Sequence, residues 1–182
     1  MPRNKENKPM PTYFHVDRRG RFVAGQAVAL SKVDLAAAPD LAQHRNLLFP
    51  DGVSAHGTQY LNLDVKAGNG EPAAELIWEY VRRAHFPDRP SRFTATCAWR
   101  ELEEARAWRA RTGATNAKIW RLDAAEGFVA NMSLLNVSTS TLRASQFAHA
   151  YWAGEQGPAL NGMLPPCWEV LLCGAITVRQ EV

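Results

Sequence analysis

From Glu71 to Phe86 the apolar residues Leu76, Ile77, Tyr80, Val81 and Ala84 recur at helical intervals, opposite Glu75, Glu79, Arg82 and Arg83. This spacing predicts an amphipathic helix. Pro87 and Pro90 stop it, and SRFTATCAW (91–99) then carries β-branched and aromatic residues in an extended pattern. A second helix is expected over Glu101–Arg111, with Leu102, Ala105 and Trp108 inward and Glu101, Glu103 and Glu104 in the first turn, where the helix dipole favours acids. AKIWRLDA (117–124) reads as a strand, Leu142–Trp152 as a third helix, and CWEVLLCGAITV (167–178) as a final strand or strand pair.

The N-terminal part is less regular. Residues 1–11 hold three prolines and four Lys, Arg or Glu side chains without apolar period, which predicts a flexible leader. Thr12–Phe14 reads as a short β segment, and RFVAGQAVAL (21–30) as a strand or hairpin arm. One short helix is expected around Leu35–Asn46. The stretch containing DGVSAHGTQY (51–60) and KAGNG (66–70) is expected to form ordered loops. Irregular alternation of helix and strand, with no internal repeat, predicts one α+β domain over residues 12–182, its sheet mostly antiparallel and either continuous or split.

Composition narrows the class. The chain has 182 residues, 46% of them hydrophobic, 21% charged, and a net charge of +3; neither a disordered acidic chain nor a polycation fits. No apolar run reaches the roughly 20 residues of a membrane span, and no secretory h-region is visible, so a cytoplasmic protein with no membrane partner is expected. Cys97, Cys167 and Cys173 lack zinc-site spacing, so no metal is expected. Sixteen arginines stand against five lysines, eight of them between Arg82 and Arg111, and guanidinium forks suit phosphate.

Glu169 is the most informative position. A carboxylate set among Trp168, Val170, Leu171 and Leu172 needs compensation if buried. On a strand it points with Leu171 and Cys173, toward solvent or toward a cleft; the plain alternative is an exposed residue on an edge strand. His15 at the end of the first strand, beside Asp17 and Arg18, is the second candidate, with a structural role as its alternative. The dinucleotide, Walker, hydrolase-elbow and zincin motifs are absent from the sequence.

The order of these pieces resembles the ADP-ribosyltransferase superfamily. YFHVD (13–17) looks like its first motif, with His15 at the position that holds the nicotinamide ribose. SRFTATCAWRELEEARAWRA (91–110) followed by AKIWRLDA looks like the second region, and CWEVLLCGAITV like the third, which puts Glu169 in the catalytic position. The opening FHVD and the ending EVLL resemble most the DNA- or RNA-targeting toxins of toxin–antitoxin and phage-defence systems. Two positions depart from the family pattern: Cys167 stands two residues before Glu169, where the arginine-specific enzymes carry an acid or glutamine, and a compact hydroxyl triplet is replaced by Ser91, Thr94 and Thr96.

The resemblance implies an ADP-ribosyltransferase-like split antiparallel sheet with flanking helices, and NAD as co-substrate. Cleavage of the nicotinamide–ribose bond develops positive charge that a fixed carboxylate stabilises; Glu169 takes this role, and acts as general base toward the acceptor, with Arg92 as its catalytic companion. Arg18 or Arg92 clamps the pyrophosphate, and Tyr60, Tyr151 or Trp152 stacks on a ring. Ser54, His56 and Gly57 lie in a loop suited to close approach, and one of Ser91, Thr94 and Thr96 serves the second motif. The implied acceptor is a nucleic-acid base, with an antitoxin as a further partner. Alternatives are a protein acceptor, NAD glycohydrolysis, a non-enzymatic basic nucleic-acid-binding module, and a degenerate transferase fold kept as a structural or immunity partner.

Overall fold

The computed structural model describes residues 10–32, 35, 37–63 and 71–182. Its elements are β1 (Thr12–Asp17), α1 (Pro39–Leu48), α2 (Ala55–Leu61), α3 (Glu71–His85), β2 (Thr96–Ala98), α4 (Leu102–Arg111), β3 (Lys118–Ala124), β4 (Phe128–Asn131), a 3-10 turn at Met132–Leu134, α5 (Thr141–Ala153), β5 (Trp168–Leu172) and β6 (Ile176–Glu181). The fold is α+β. All strand pairings are antiparallel, in two three-stranded sheets ordered β1-β3-β6 and β2-β5-β4.

Among the described residues one backbone bridge joins the sheets. Phe14 and Trp99 exchange backbone hydrogen bonds of 2.9 and 2.8 Å. Beyond that bridge β1 and β2 part, although their ladder could have continued toward Asp17. The ring of His15 spans the gap instead, donating from Nδ1 to the Cys97 carbonyl at 2.7 Å.

Alternation along β5 sends its residues to different cores. Val170 and Leu172 pack with Ala98 against Tyr13, Leu122 and Val178 of the other sheet. Leu171 turns the other way, into a core with Trp78 of α3 and Phe147, Tyr151 and Trp152 of α5. Burying each such aliphatic side chain contributes about 1.5–3 kcal/mol.

Several elements differ from the sequence reading. The first strand extends through His15 to Asp17. RFVAGQAVAL is not a strand: it follows β6 through a single bridge, Ala27 to Thr177, and bonds from Gly25 and Val28. The expected helix at 35–46 lies at Pro39–Leu48, and part of DGVSAHGTQY is helix α2, not loop. The final strand pair divides between the sheets, and β4 was not anticipated. The leader up to residue 9 and KAGNG lie outside the described residues. Among those described, no helix is long and apolar enough to cross a membrane.

The largest difference is the orientation of α3. Its buried residues are Pro72, Ala74, Glu75, Trp78 and Glu79, while Leu76, Ile77 and Tyr80 are exposed. Spacing places Trp78, the bulkiest apolar residue of the helix, on the acidic side, and Trp78 is fully buried. The two glutamates enter with it because bases await them. Glu79 accepts from Arg82, Arg83 and Ser91, and Glu75 from Arg92.

Helix α2 is pressed closely onto the turn before β2. A Cβ on Gly57 would collide with the Phe93 carbonyl oxygen and come within 2.9 Å of Val53 Cβ. Gly57→Ala is therefore expected to destabilise the fold by about 1–3 kcal/mol, read by chemical denaturation.

Candidate functional site

Where β1 and β2 part, a cleft of about 480 Å³ opens. His15, Glu75, Arg92, Thr96, Cys97 and Glu169 belong to its wall. This volume lies within the range of small-molecule sites.

Glu169 is fully buried, on the central strand of its sheet. The edge-strand alternative is thereby corrected. Its Oε1 accepts from Arg92 Nη1 and from the Tyr151 hydroxyl at 2.8 Å. Apart from the Cys97 thiol, a weak donor that interacts with this carboxylate, its Oε2 has no hydrogen-bond partner among the described residues. A buried carboxylate oxygen without a strong donor is rare and marks a place where a ligand can supply one.

Arg92 is itself buried and divided between two acids. Its Nε and Nη2 donate to Glu75 at 2.8 and 2.9 Å, and Nη1 to Glu169 and to Tyr151 Oη at 2.7 Å. Burial disfavours its charge, but Glu169 and Glu75 hold its pKa well above the ordinary value. Burial likewise opposes the Glu75 charge, and Arg92 and then His56 override this to hold the carboxyl far below its usual range. Two carboxylates thus share one guanidinium along the Glu75–Arg92–Glu169 chain, and His56 faces the Glu75 end of it at 3.2 Å. The guanidinium is thus committed inside the protein, which corrects its reading as a pyrophosphate clamp.

His15 presents a different edge. Because a carbonyl only accepts, the proton sits on Nδ1, and in the neutral ring Nε2 keeps a lone pair. The ring stacks on Phe22 at 4.6 Å. Burial lowers the His15 pKa, against the raising effects of the Cys97 bond and Asp17, and with Arg18 and His56 also lowering it. The sign follows: the unfolded chain takes up a proton near 6.5 that the folded chain resists. The stabilising contribution is therefore present above that pH and lost as pH falls. Urea denaturation from about pH 8 to about pH 5 should show stability falling in acid, with a shallower fall in His15→Asn.

The remaining expected site residues divide into two groups. Arg18, Ser54, His56 and Tyr60 line the cleft with Asp17. Asp17 is occupied, its two oxygens accepting from the amides of Arg19 and Phe22 and so shaping the turn that carries the arginines. Ser54 caps α2 by accepting from Gly57. His56 Nε2 lies 3.2 Å from Glu75 Oε1. The Tyr60 ring packs on His56 at 4.6 Å, and burial, then Glu75, push its hydroxyl up to about 12. Arg18 rests over the Trp108 ring at 5.2 Å.

The second group stands back from the cleft. Ser91 donates to Glu79, Thr94 to the Ser91 carbonyl, and Trp152 Nε1 to the Trp78 carbonyl. Gly57 serves packing. Tyr151 is a core residue that positions Glu169 rather than a stacking platform, and Trp152 stacks on Phe128 inside the protein. Of the three hydroxyl candidates, only Thr96 lines the cleft.

Sequence reasoning missed Glu75, placed with the polar face of α3, and also Arg19 and Arg21. These two stand at the mouth beside Arg18, all three exposed and none in an ion pair with a carboxylate among the described residues. The signal for Glu75 was Trp78 on the same face. No group of three metal-binding side chains occurs among the described residues.

Comparison with curated proteins finds no match. Residues 13–182 match the model of a protein family of unknown function, DUF2441, and the chain belongs to that family.

Proposed function

We propose that this protein is an NAD-dependent mono-ADP-ribosyltransferase acting in the cytoplasm. The observation that carries the reading is the fully buried Glu169, one oxygen without a partner, at the wall of a cleft opened by the parting of two antiparallel sheets. His15 on the first strand and Glu169 on the late strand line the same cleft, the arrangement that the family resemblance implies.

The reaction follows from these groups. The bond between ribose C1′ and the nicotinamide nitrogen breaks, its electron pair leaving with nicotinamide, and the ribose takes on positive charge. The Glu169 carboxylate, which shares its guanidinium with Glu75, stabilises that charge in a poorly solvated site. The acceptor's lone pair then forms the new bond to C1′, and its proton passes to Glu169 and on to solvent. His15 Nε2 accepts from a ribose hydroxyl. Arg18, Arg19 and Arg21 at the mouth meet the pyrophosphate and an anionic acceptor, which favours a nucleic-acid base over a protein side chain. A module that only bound nucleic acid would use the same arginines but would have no need of a buried carboxylate with a free oxygen.

Incubation with labelled NAD and separate pools of DNA, RNA and protein tests the reading. Label on a nucleic-acid pool is the expected result. Label on protein would change the acceptor, free ADP-ribose alone would indicate a glycohydrolase, and no consumption of NAD with any pool would overturn the reading.

A further inference from the structure

Glu75 lines the cleft but makes and breaks no bond in the reaction above, and its strongest tie to Glu169 runs through Arg92. It nevertheless occupies the stronger half of the guanidinium: Nε and Nη2 form a two-bond fork to Glu75, while Nη1 alone is shared by Glu169 and Tyr151. Parallel paired bonds are the preferred way for a guanidinium to meet a carboxylate. With Glu75 holding that fork, Arg92 has no second pair to offer Glu169.

We infer that Glu75 is a positioning residue that keeps Arg92 from closing onto Glu169, and so leaves Glu169 Oε2 without an arginine donor and the Glu169 charge only partly cancelled at the cleft wall. The inference rests on the transferase reading of Glu169. Without the Glu75 charge, the guanidinium is drawn wholly to Glu169 and forms a closed neutral pair with both of its oxygens. A neutral pair has little to offer a developing cation, because the attraction of the carboxylate is cancelled by the arginine beside it. The placement of Glu75 is rigid: it projects from α3 next to the fully buried Trp78, is itself 5% exposed, and has His56 Nε2 3.2 Å from Oε1. Helix α3 thus turns its acidic side inward in the service of the site as well as of the fold.

Steady-state NAD consumption by Glu75→Gln and Glu75→Asp, each alone and combined with Glu169→Gln, tests this, with thermal melting as the check on folding. Glu75→Gln should lower kcat by about 10- to 100-fold with the KM for NAD changed by less than about twofold, the pattern of an interaction made only in the transition state. Glu75→Asp, which keeps the charge on a side chain too short to hold the fork as closely, should lose about two- to tenfold. In the Glu169→Gln background the Glu75→Gln change should have no further effect, because both act through one charge. Losses that multiply in the double variant would indicate a merely structural role and overturn the inference. A Glu75→Gln kcat within about twofold of wild type, beside an inactive Glu169→Gln, would overturn it alone and leave the transferase reading standing. If E75Q does not fold, E75D decides: the shorter side chain loosens the fork, and an unchanged kcat would count against the role. Full activity in Glu169→Gln, or no NAD consumption by the wild type, would overturn the transferase reading and this inference with it.

Discussion

Glu169→Gln is expected to lower ADP-ribosyl transfer by about 10³-fold or more while leaving the melting temperature unchanged or slightly raised. The two effects have separate causes. Activity falls because glutamine carries no charge to stabilise the ribose cation and cannot take the acceptor's proton. Stability holds because the amide oxygen still accepts from Arg92 Nη1 and the Tyr151 hydroxyl, while Arg92 keeps its fork with Glu75. The substitution also removes one of the two buried carboxylate charges that share Arg92, and sets an uncharged amide nitrogen where the unpartnered oxygen was. Sites that hold charge in readiness are often less stable than their inactive variants. Rates of labelled NAD consumption and a thermal melt on the same samples decide the matter: a melting temperature lowered by many degrees would mean that Glu169 is a structural ion-pair member, and an unchanged rate would remove it from the chemistry.

The site was legible where the chain order itself carried the information. His15 after a strand and Glu169 inside an apolar run were recognisable because charged or polar residues in such positions need a reason, and the structure puts both on one cleft. Arg92 was singled out, but its role changed: a fork expected to face phosphate is turned inward onto two carboxylates. That outcome depends on α3, and α3 was read with the wrong side inward. Leu76, Ile77 and Tyr80 outnumber Trp78, so a count of apolar positions favours their side, whereas Trp78 with Ala74 makes the closer contact with α5. The acids beside Trp78 are tolerable inside only because Arg82 and Arg83 of the same helix meet Glu79 and because Ser91 and Arg92 arrive from beyond it, and pairing across 17 residues, as between Glu75 and Arg92, leaves no periodic trace. The same reason hid β4. Phe128–Asn131 is short and ends on Asn131, whose side chain bonds Gln156, Ser133 and Cys167, partners that no local pattern indicates.

Arg92→Met tests the other side of this balance. The substitution keeps much of the volume and removes the charge, leaving Glu75 and Glu169 buried without their guanidinium. Breaking a buried ion pair from one side typically destabilises by about 3–5 kcal/mol, so a marked loss is expected at neutral pH. The loss should shrink in acid. In the wild type Arg92 holds the Glu75 carboxyl low against burial, so the pair stabilises the fold above the ordinary carboxylate pKa of 4.5 and its contribution is lost as pH falls below it. In Arg92→Met only His56 is left to oppose burial, and the Glu75 pKa rises; a raised folded value means stability is recovered on protonation as pH falls. Chemical denaturation at about pH 7.5 and about pH 4.5 should therefore show the gap between wild type and variant narrowing toward acid. Adding Glu75→Gln to Arg92→Met should restore part of the neutral-pH loss, since an amide is far cheaper to bury than an unpaired carboxylate. A gap that is equal at both pH values would mean that the loss comes from packing around Tyr151 and not from the stranded charges.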